Sequence, residues 1–514
     1  MTTKVRQIDP FVWILIAASF VVVVFVRIAG VPFSADQLSA HPTIPTWQLL
    51  DLDLLRHHLL SSIDHLEMQP PLYNFGIGLL LDLPNQVQSP AAELTQFFFY
   101  VVTALATYGT LRELRCRRRI ALAVTLIFVV LDPAQFLYSA TTFYVTPTAA
   151  LATCLAYSIV RLIKHPSRSR ALVFGATGAA LALLNTSIQP LLIFLLLALI
   201  VLFTPTACRT IIRGALIPMS ILLLWMVHTL AAFGTPATST WFGMNLAHTT
   251  MNAAPEYQIQ RLIRTHHLSP LAAIPPFSPI SAYGHVTSMH GNSALTQITK
   301  HDGSPNFNNK AYASISSRYL QDDLRYIHAE PYQYITNVAR GVSIWLVPAD
   351  QYFTLSSDLG WYRAAYDTYV QWQPRNDSNA AYLAVYYHQY PTISQISYLQ
   401  LAIDILVLIG VPILIVSWWK RRNPLARALA VLGVLFLQSF VIMNLTDIAE
   451  NNRFRFEAGS VPLILATTVV LAALGRLEPD EESQHVDSVT SPALKEDTVS
   501  RSEADAIPSD LSGS

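Results

Sequence analysis

The sequence predicts an all-α polytopic membrane protein, on three observations. Of its 514 residues, 52% are hydrophobic and only 13% are charged, and the mean hydropathy is +0.38. Both shares lie outside the range of a soluble domain. Apolar runs long enough to cross a bilayer recur along the chain. Basic turns fall between those runs in a pattern that fixes which side each faces.

The first run, 11–29, follows "MTTKVRQIDP" without a small-residue cleavage site. It is read as a retained signal anchor, with Lys4 and Arg6 on the cytoplasmic side. Further runs lie near 93–111, 120–138, 143–163, 171–187, 189–205, 212–233, 397–418, 424–444 and 460–476. Segment 72–83 has only about a dozen apolar residues, too few to span. If it does not cross, "RELRCRRR" (112–119), "RLIKHPSRSR" (161–170), "CRTIIR" (208–213) and "KRRN" (420–423) are all cytoplasmic. If it does cross, all four face outward, against the positive-inside rule. The expected architecture is therefore about 10–11 transmembrane helices: ten spans plus one re-entrant or interfacial segment, with both chain ends in the cytosol. The small residues of "GATGAALALL" (175–184) fall inside a span, where they serve helix packing.

This count divides the chain into four parts. An N-terminal transmembrane module, 1–233, carries an acidic exterior loop at 30–92. An exterior loop domain follows at 234–396, then C-terminal transmembrane helices at 397–476. The tail, 477–514, sets ten Asp and Glu against Lys495 and Arg501, the composition of a disordered acidic cytosolic segment. The zero net charge argues against a nucleic-acid partner. Cys116, Cys154 and Cys208 have no metal-type spacing, so neither a disulfide framework nor a zinc site is expected.

Candidate chemistry gathers in the exterior pieces. "SSIDHLEMQPPLYNFGIGLLLDL" (61–83) runs Asp64, His65 and Glu67 into Pro70-Pro71 and a half-length apolar segment. Backbone that dips into a bilayer survives only where protein covers it or it lines a cavity. The loop is thus expected to fold onto a cavity, with carboxylates at its rim; Asp36, Asp51 and Asp53 belong to the same loop. Trp47, Leu50, Leu54, Leu55 and Leu59 fall at helical spacing, which predicts an interfacial helix over 47–60 with Asp51 and Arg56 on one flank. His57, His58 and His65 are read as local hydrogen-bonding groups rather than metal ligands.

Carboxylates beside a lipid-facing cavity suit transfer of a sugar from a lipid phosphate to an acceptor hydroxyl, with a carboxylate as general base. The departing phosphate then needs a cation. "ENNRFRFE" (450–457) brings Arg453 and Arg455 to the mouth of the last span, and Arg is the better bidentate phosphate ligand. The competing reading pairs them with Glu450 and Glu457. Asn245 and His248 in "WFGMNLAHTT", and Asn306, Asn308, Lys310 and Tyr312 in "PNFNNKAY", suit sugar contacts or ordinary turn chemistry.

Together these residues resemble the GT-C superfamily of integral-membrane glycosyltransferases, in the branch of the protein O-mannosyltransferases and lipid A aminoarabinose transferases. The patterns "WQLLDLDLL", "QPPLYN", "LDPAQFLYSATTFYVTP" (131–147), "STWFGMNLA" (239–247), "PNFNNKAY" and "ENNRFRFE" are similar, in this order, to an uncharacterised bacterial group within that branch. The resemblance covers most of 10–475. It implies a polyprenyl-phosphate-sugar donor, a cell-envelope acceptor, inversion at the anomeric carbon, and a site facing outward from the bacterial cytoplasmic membrane. A first-loop acid is implied as base, with Asp36 and Asp51 both open. Glu67 is implied to bind acceptor or a divalent metal, the one cofactor left open. Tyr73, Asn245, Asn306, Arg453 and Arg455 are the implied substrate contacts. The chain departs from the branch at Asp36-Gln37, where an Asp-Glu pair is usual, at Glu67, where the closer group tends to have His, and at Ser139, where an acid is common. The competing function is a lipid-linked-substrate transporter or flippase. Against it, the chain shows no repeat, and its ionisable groups concentrate outside the spans.

Overall fold

The computed structural model describes residues 9–479 apart from 32, 34–45, 285–292, 353–354, 356–358, 376–382, 384–387, 420–422 and 449. Lys4, Arg6, Asp36, the Lys420–Arg422 turn and the tail from 480 lie outside the described residues. Met1–Leu477 forms one compact unit and Glu478–Ser514 another; the helices and the site belong to the first. Among the described residues the regular elements are helices, with one isolated bridge between Thr299 and Pro305.

Among the described residues, six helices are long and apolar enough to cross a membrane: Pro10–Ile28, Asn85–Glu113, Val145–Lys164, Pro205–Phe233, Tyr398–Trp419 and Pro424–Thr446. The chain is an all-α, multi-pass membrane protein. One further expected span, 120–138, is bent, and the last expected run, 460–476, is preceded by a short helix set at an angle to it. Arg118–Val130 meets Pro133–Ser139 at 55°, and Asn451–Glu457 meets Val461–Ala473 at 70°. The first break arises because Asp132 accepts the Ala134 N–H and Pro133 takes the opening position, so a new helix starts there. The second turns on Gly459, whose φ of +63° suits glycine; a Cβ there would stand 2.5 Å from the Ala149 carbonyl. The runs at 171–187 and 189–205 shorten to Arg168–Leu184 (17 residues) and Pro190–Phe203 (14 residues). Asn185 accepts the Ser187 N–H between them, and Pro190 opens the second helix. The ten full-length spans expected from hydropathy thus become six, or eight if each bent pair counts once.

The basic turns meet at one end of the bundle. Lys164 and Arg161 pair with Glu113 at 2.8 and 3.5 Å, and Arg427 donates to the Phe203 carbonyl at 2.9 Å. Gly175 of the small-residue run lets Pro218 approach to 3.2 Å of where a Cβ would sit, the close contact that drives helix association in lipid.

The opposite end is a mixed layer. Leu50, Leu55, Met68 and Tyr73 from the first loop pack in one core with Tyr138 and Tyr144 from the helix ends and with Trp241, Met244, Tyr312 and Tyr319. First loop and 234–396 segment therefore bury their apolar residues against each other. The expected 47–60 interfacial helix is replaced by two short helices, Leu52–His57 and Leu59–Asp64, broken at His58. Leu49, Leu50 and Leu55 are fully buried in protein rather than laid on lipid. Asp51 caps the first of these helices instead of riding on its flank.

Candidate functional site

A cavity of about 410 Å³ opens at the end of the bundle opposite the basic turns. Its walls come from the 235–240 stretch that follows helix Pro205–Phe233, the end of Pro424–Thr446, the 186–189 turn, helix Phe242–Thr249 and helix Ala311–Ala329. The lining mixes polar side chains, Ser239, Thr240, Asn245, Ser316, Thr446 and Asp447, with apolar ones, Phe242, Leu320, Ile442, Met443 and Phe454.

Local structure holds the polar lining in place. Gly243 and Met244 donate their backbone N–H groups to Ser316 Oγ at 3.1 and 3.4 Å, which leaves the Ser316 proton free to be donated elsewhere. The two helices come this close because position 243 is glycine: a Cβ would stand 1.9 Å from the Ser316 carbonyl oxygen. Ser239 donates to the Met68 carbonyl, and the Thr240 N–H donates to the Glu67 carbonyl at 3.0 Å.

Glu67 stands directly behind this wall. Its Oε2 accepts the Thr240 hydroxyl at 2.8 Å, and the residue is 2% exposed. Oε1 has no hydrogen-bond partner among the described residues. Burial pushes this carboxyl up to about 8, against the opposing pull of the Thr240 hydrogen bond and of Lys310. The side chain is therefore mostly neutral near pH 7.

The other candidates divide into two groups. Asn245 lines the cavity itself. Arg453, Tyr73 and their neighbours form a buried chain beside it. Arg453 pairs with both Glu450 and Glu457 and donates to the Tyr144 hydroxyl at 3.1 Å. Tyr144 meets the Tyr73 ring edge-on at 5.1 Å. Glu457 in turn accepts from Asn185 at 2.8 Å, next to the cavity-lining Thr186. Arg455, one residue past the cavity-lining Phe454, donates to the Trp345 carbonyl and faces a separate cavity of about 90 Å³ with Asp132 and Gln135.

Asp51 and Asn306 stand apart from that site, in a clamp between the first loop and the 294–310 segment. Asp51 accepts the backbone N–H of Asp53 at 3.0 Å and of His301 at 2.8 Å. Asn306 donates to the carbonyls of Ala294 and Gln297, both at 2.9 Å. Asn308 accepts the N–H groups of Glu67 and Met68. Here "PNFNNKAY" performs turn and staple chemistry. Lys300 in the same clamp is pulled down to about 8 by burial, opposed by Asp302 and Asp51.

Two wall residues, Thr240 and Asp447, are not among the candidates that the sequence suggests. Asp447 directly follows a span, at a helix C-terminus, where the backbone dipole disfavours a negative charge. That misplacement is the signal by which it could have been found. Comparison with protein-family models, curated proteins and solved structures finds no match for this chain.

Proposed function

We propose that this chain is a membrane glycosyltransferase of GT-C type, transferring a sugar from a polyprenyl-phosphate donor to an acceptor hydroxyl in the 410 Å³ cavity. The observation that carries the reading is the mixed polar and apolar lining of that cavity beside the ends of two membrane spans. An amphiphile with a polyhydroxyl head and an isoprenoid tail needs both kinds of surface in one site. The head would meet Asn245, Ser316 and Thr240, and the tail would leave along Phe242, Ile442 and Met443 toward the apolar spans.

Of the described first-loop acids, Glu67 is the one tied to this wall, and in its neutral form it holds Thr240 in position. Asp51 serves as a cap. Arg453 is already neutralised by two carboxylates, so the head group's first donors would be hydroxyls and the Asn245 amide, with Arg453 acting as the positive charge one layer back.

The test is turnover of a radiolabelled polyprenyl-phosphate-sugar panel by purified protein in liposomes. One donor should be consumed, and Asn245→Ala should raise its KM about tenfold, the loss of one good hydrogen bond. Wild-type protein that binds donor lipid yet cleaves none of the panel would instead fit transport, and would sink this reading.

A further inference from the structure

We infer that Asp447 is the general base of this site and that His248 positions it; the inference rests on the transfer reaction proposed above. Asp447 is the one acidic or basic side chain among the described residues that line the 410 Å³ cavity. It lies one residue past Thr446 and one helical turn past Met443, both of which also line the cavity.

The sequence places it there for a mechanical reason. Helix Pro424–Thr446 ends at Asp447, whose backbone is extended (φ −143°, ψ 150°), and the chain then turns into Asn451–Glu457. Asp447 Oδ1 accepts the Glu450 N–H at 3.1 Å and so fixes the carboxylate plane. Oδ2 faces His248 Nδ1 at 3.4 Å. His248 lies one helical turn beyond the cavity-lining Asn245 on Phe242–Thr249, and its ring is held edge-on against Phe277 at 5.4 Å. A carboxylate with one oxygen anchored by backbone and the other steered by an imidazole matches the arrangement by which a base is oriented before proton transfer.

Of the other titratable groups on the elements packed around the pair, Asp323 accepts the Thr250 hydroxyl through Oδ1 and leaves Oδ2 without a partner among the described residues, while Glu450 and Tyr334 are engaged elsewhere. Glu450 directs its carboxylate to Arg453 and Tyr352. The Tyr334 hydroxyl donates to the Leu445 carbonyl at 2.9 Å.

In the step itself, Asp447 removes the proton of the acceptor hydroxyl as that oxygen bonds to the anomeric carbon. The bond from that carbon to the phosphate oxygen breaks, and its electron pair leaves with the polyprenyl phosphate. The proton on Asp447 then passes to solvent or to the released phosphate.

Asp447→Asn separates this role from capping, because an amide oxygen still accepts the Glu450 N–H. With the donor found in the panel, Asp447→Asn should lose about 10²-fold or more in kcat while binding the donor lipid like wild type. Formate should restore part of the rate to Asp447→Ala. His248→Ala removes a hydrogen-bond donor to the carboxylate, which raises its pKa, so the acidic limb of the kcat–pH profile should move to higher pH. Active wild type with Asp447→Asn at an undiminished rate overturns the base and leaves the transfer reading intact. An unmoved acidic limb overturns the role of His248. Wild type silent with every donor overturns both readings together.

Discussion

Glu67 shows what burial does to a single carboxyl. Its folded-state pKa, about 8, lies above the usual glutamate value. The folded state therefore binds more protons than the unfolded chain between about pH 4 and 8, and the contribution to stability is full at low pH and is lost as pH rises through 8. Glu67→Gln keeps the shape and removes the titration. Its melting temperature in detergent should match wild type near pH 5 and exceed it by a few degrees at pH 8. A constant difference across that range would show that Glu67 does not titrate on folding. Arg453 is the opposite case, a buried cation between the buried carboxylate of Glu457 and the partly buried one of Glu450. Arg453→Ala strands Glu450 and Glu457 and should cost about 3–5 kcal/mol. Adding Glu457→Gln should recover part of that loss, as read by thermal aggregation.

At the scale of elements, the site depends on how closely Phe242–Thr249 lies on Ala311–Ala329. Gly243→Ala forces its methyl into the Ser316 carbonyl and should cost on the order of 2 kcal/mol, with loss of donor binding as the wall separates. Gly76, inside helix Pro71–Leu81, has no atom within 4 Å of its would-be Cβ. Gly76→Ala should be neutral or slightly stabilising by helix propensity. Equal behaviour of the two variants in a thermal-shift assay would contradict this packing. The short helix itself was legible in the sequence: "QPPLYN" sets Pro71 at its first position, and the apolar run ends at Leu81. The break within 118–139 was not: hydropathy runs straight through it, because a cap at Asp132 scarcely alters a windowed average. Nor was the short helix Asn451–Glu457, whose charged sequence reads as a loop before the 460–476 run.

For the whole molecule, the testable consequence is sidedness. The basic turns occupy one end of the bundle and the cavity the other. In a background with Cys116, Cys154 and Cys208 replaced, Tyr332→Cys at the cavity end, where the native side chain is 87% exposed, should react with an impermeant maleimide on intact cells. Arg209→Cys at the basic end should react only after permeabilisation. The reverse pattern would turn the cavity to the cytoplasm and remove the envelope acceptor from reach.

The sequence by itself determined that the chain is helical and membrane-embedded, where most of its spans fall, and which stretches between them carry charge. Those properties are local, because transfer free energy adds up residue by residue along a window. Only the tertiary structure decided which polar groups share a site. Glu67 meets Thr240 across 173 residues, Asp51 meets His301 across 250, and His248 meets Asp447 across 199. It separated Asn245, which lines the cavity, and Glu67, which backs its wall through Thr240, from Asp51 and Asn306, which fasten the loops. The physical reason is that a buried polar group must find a partner wherever the fold brings one within about 3 Å, and nothing in the composition of either segment specifies which partner that is.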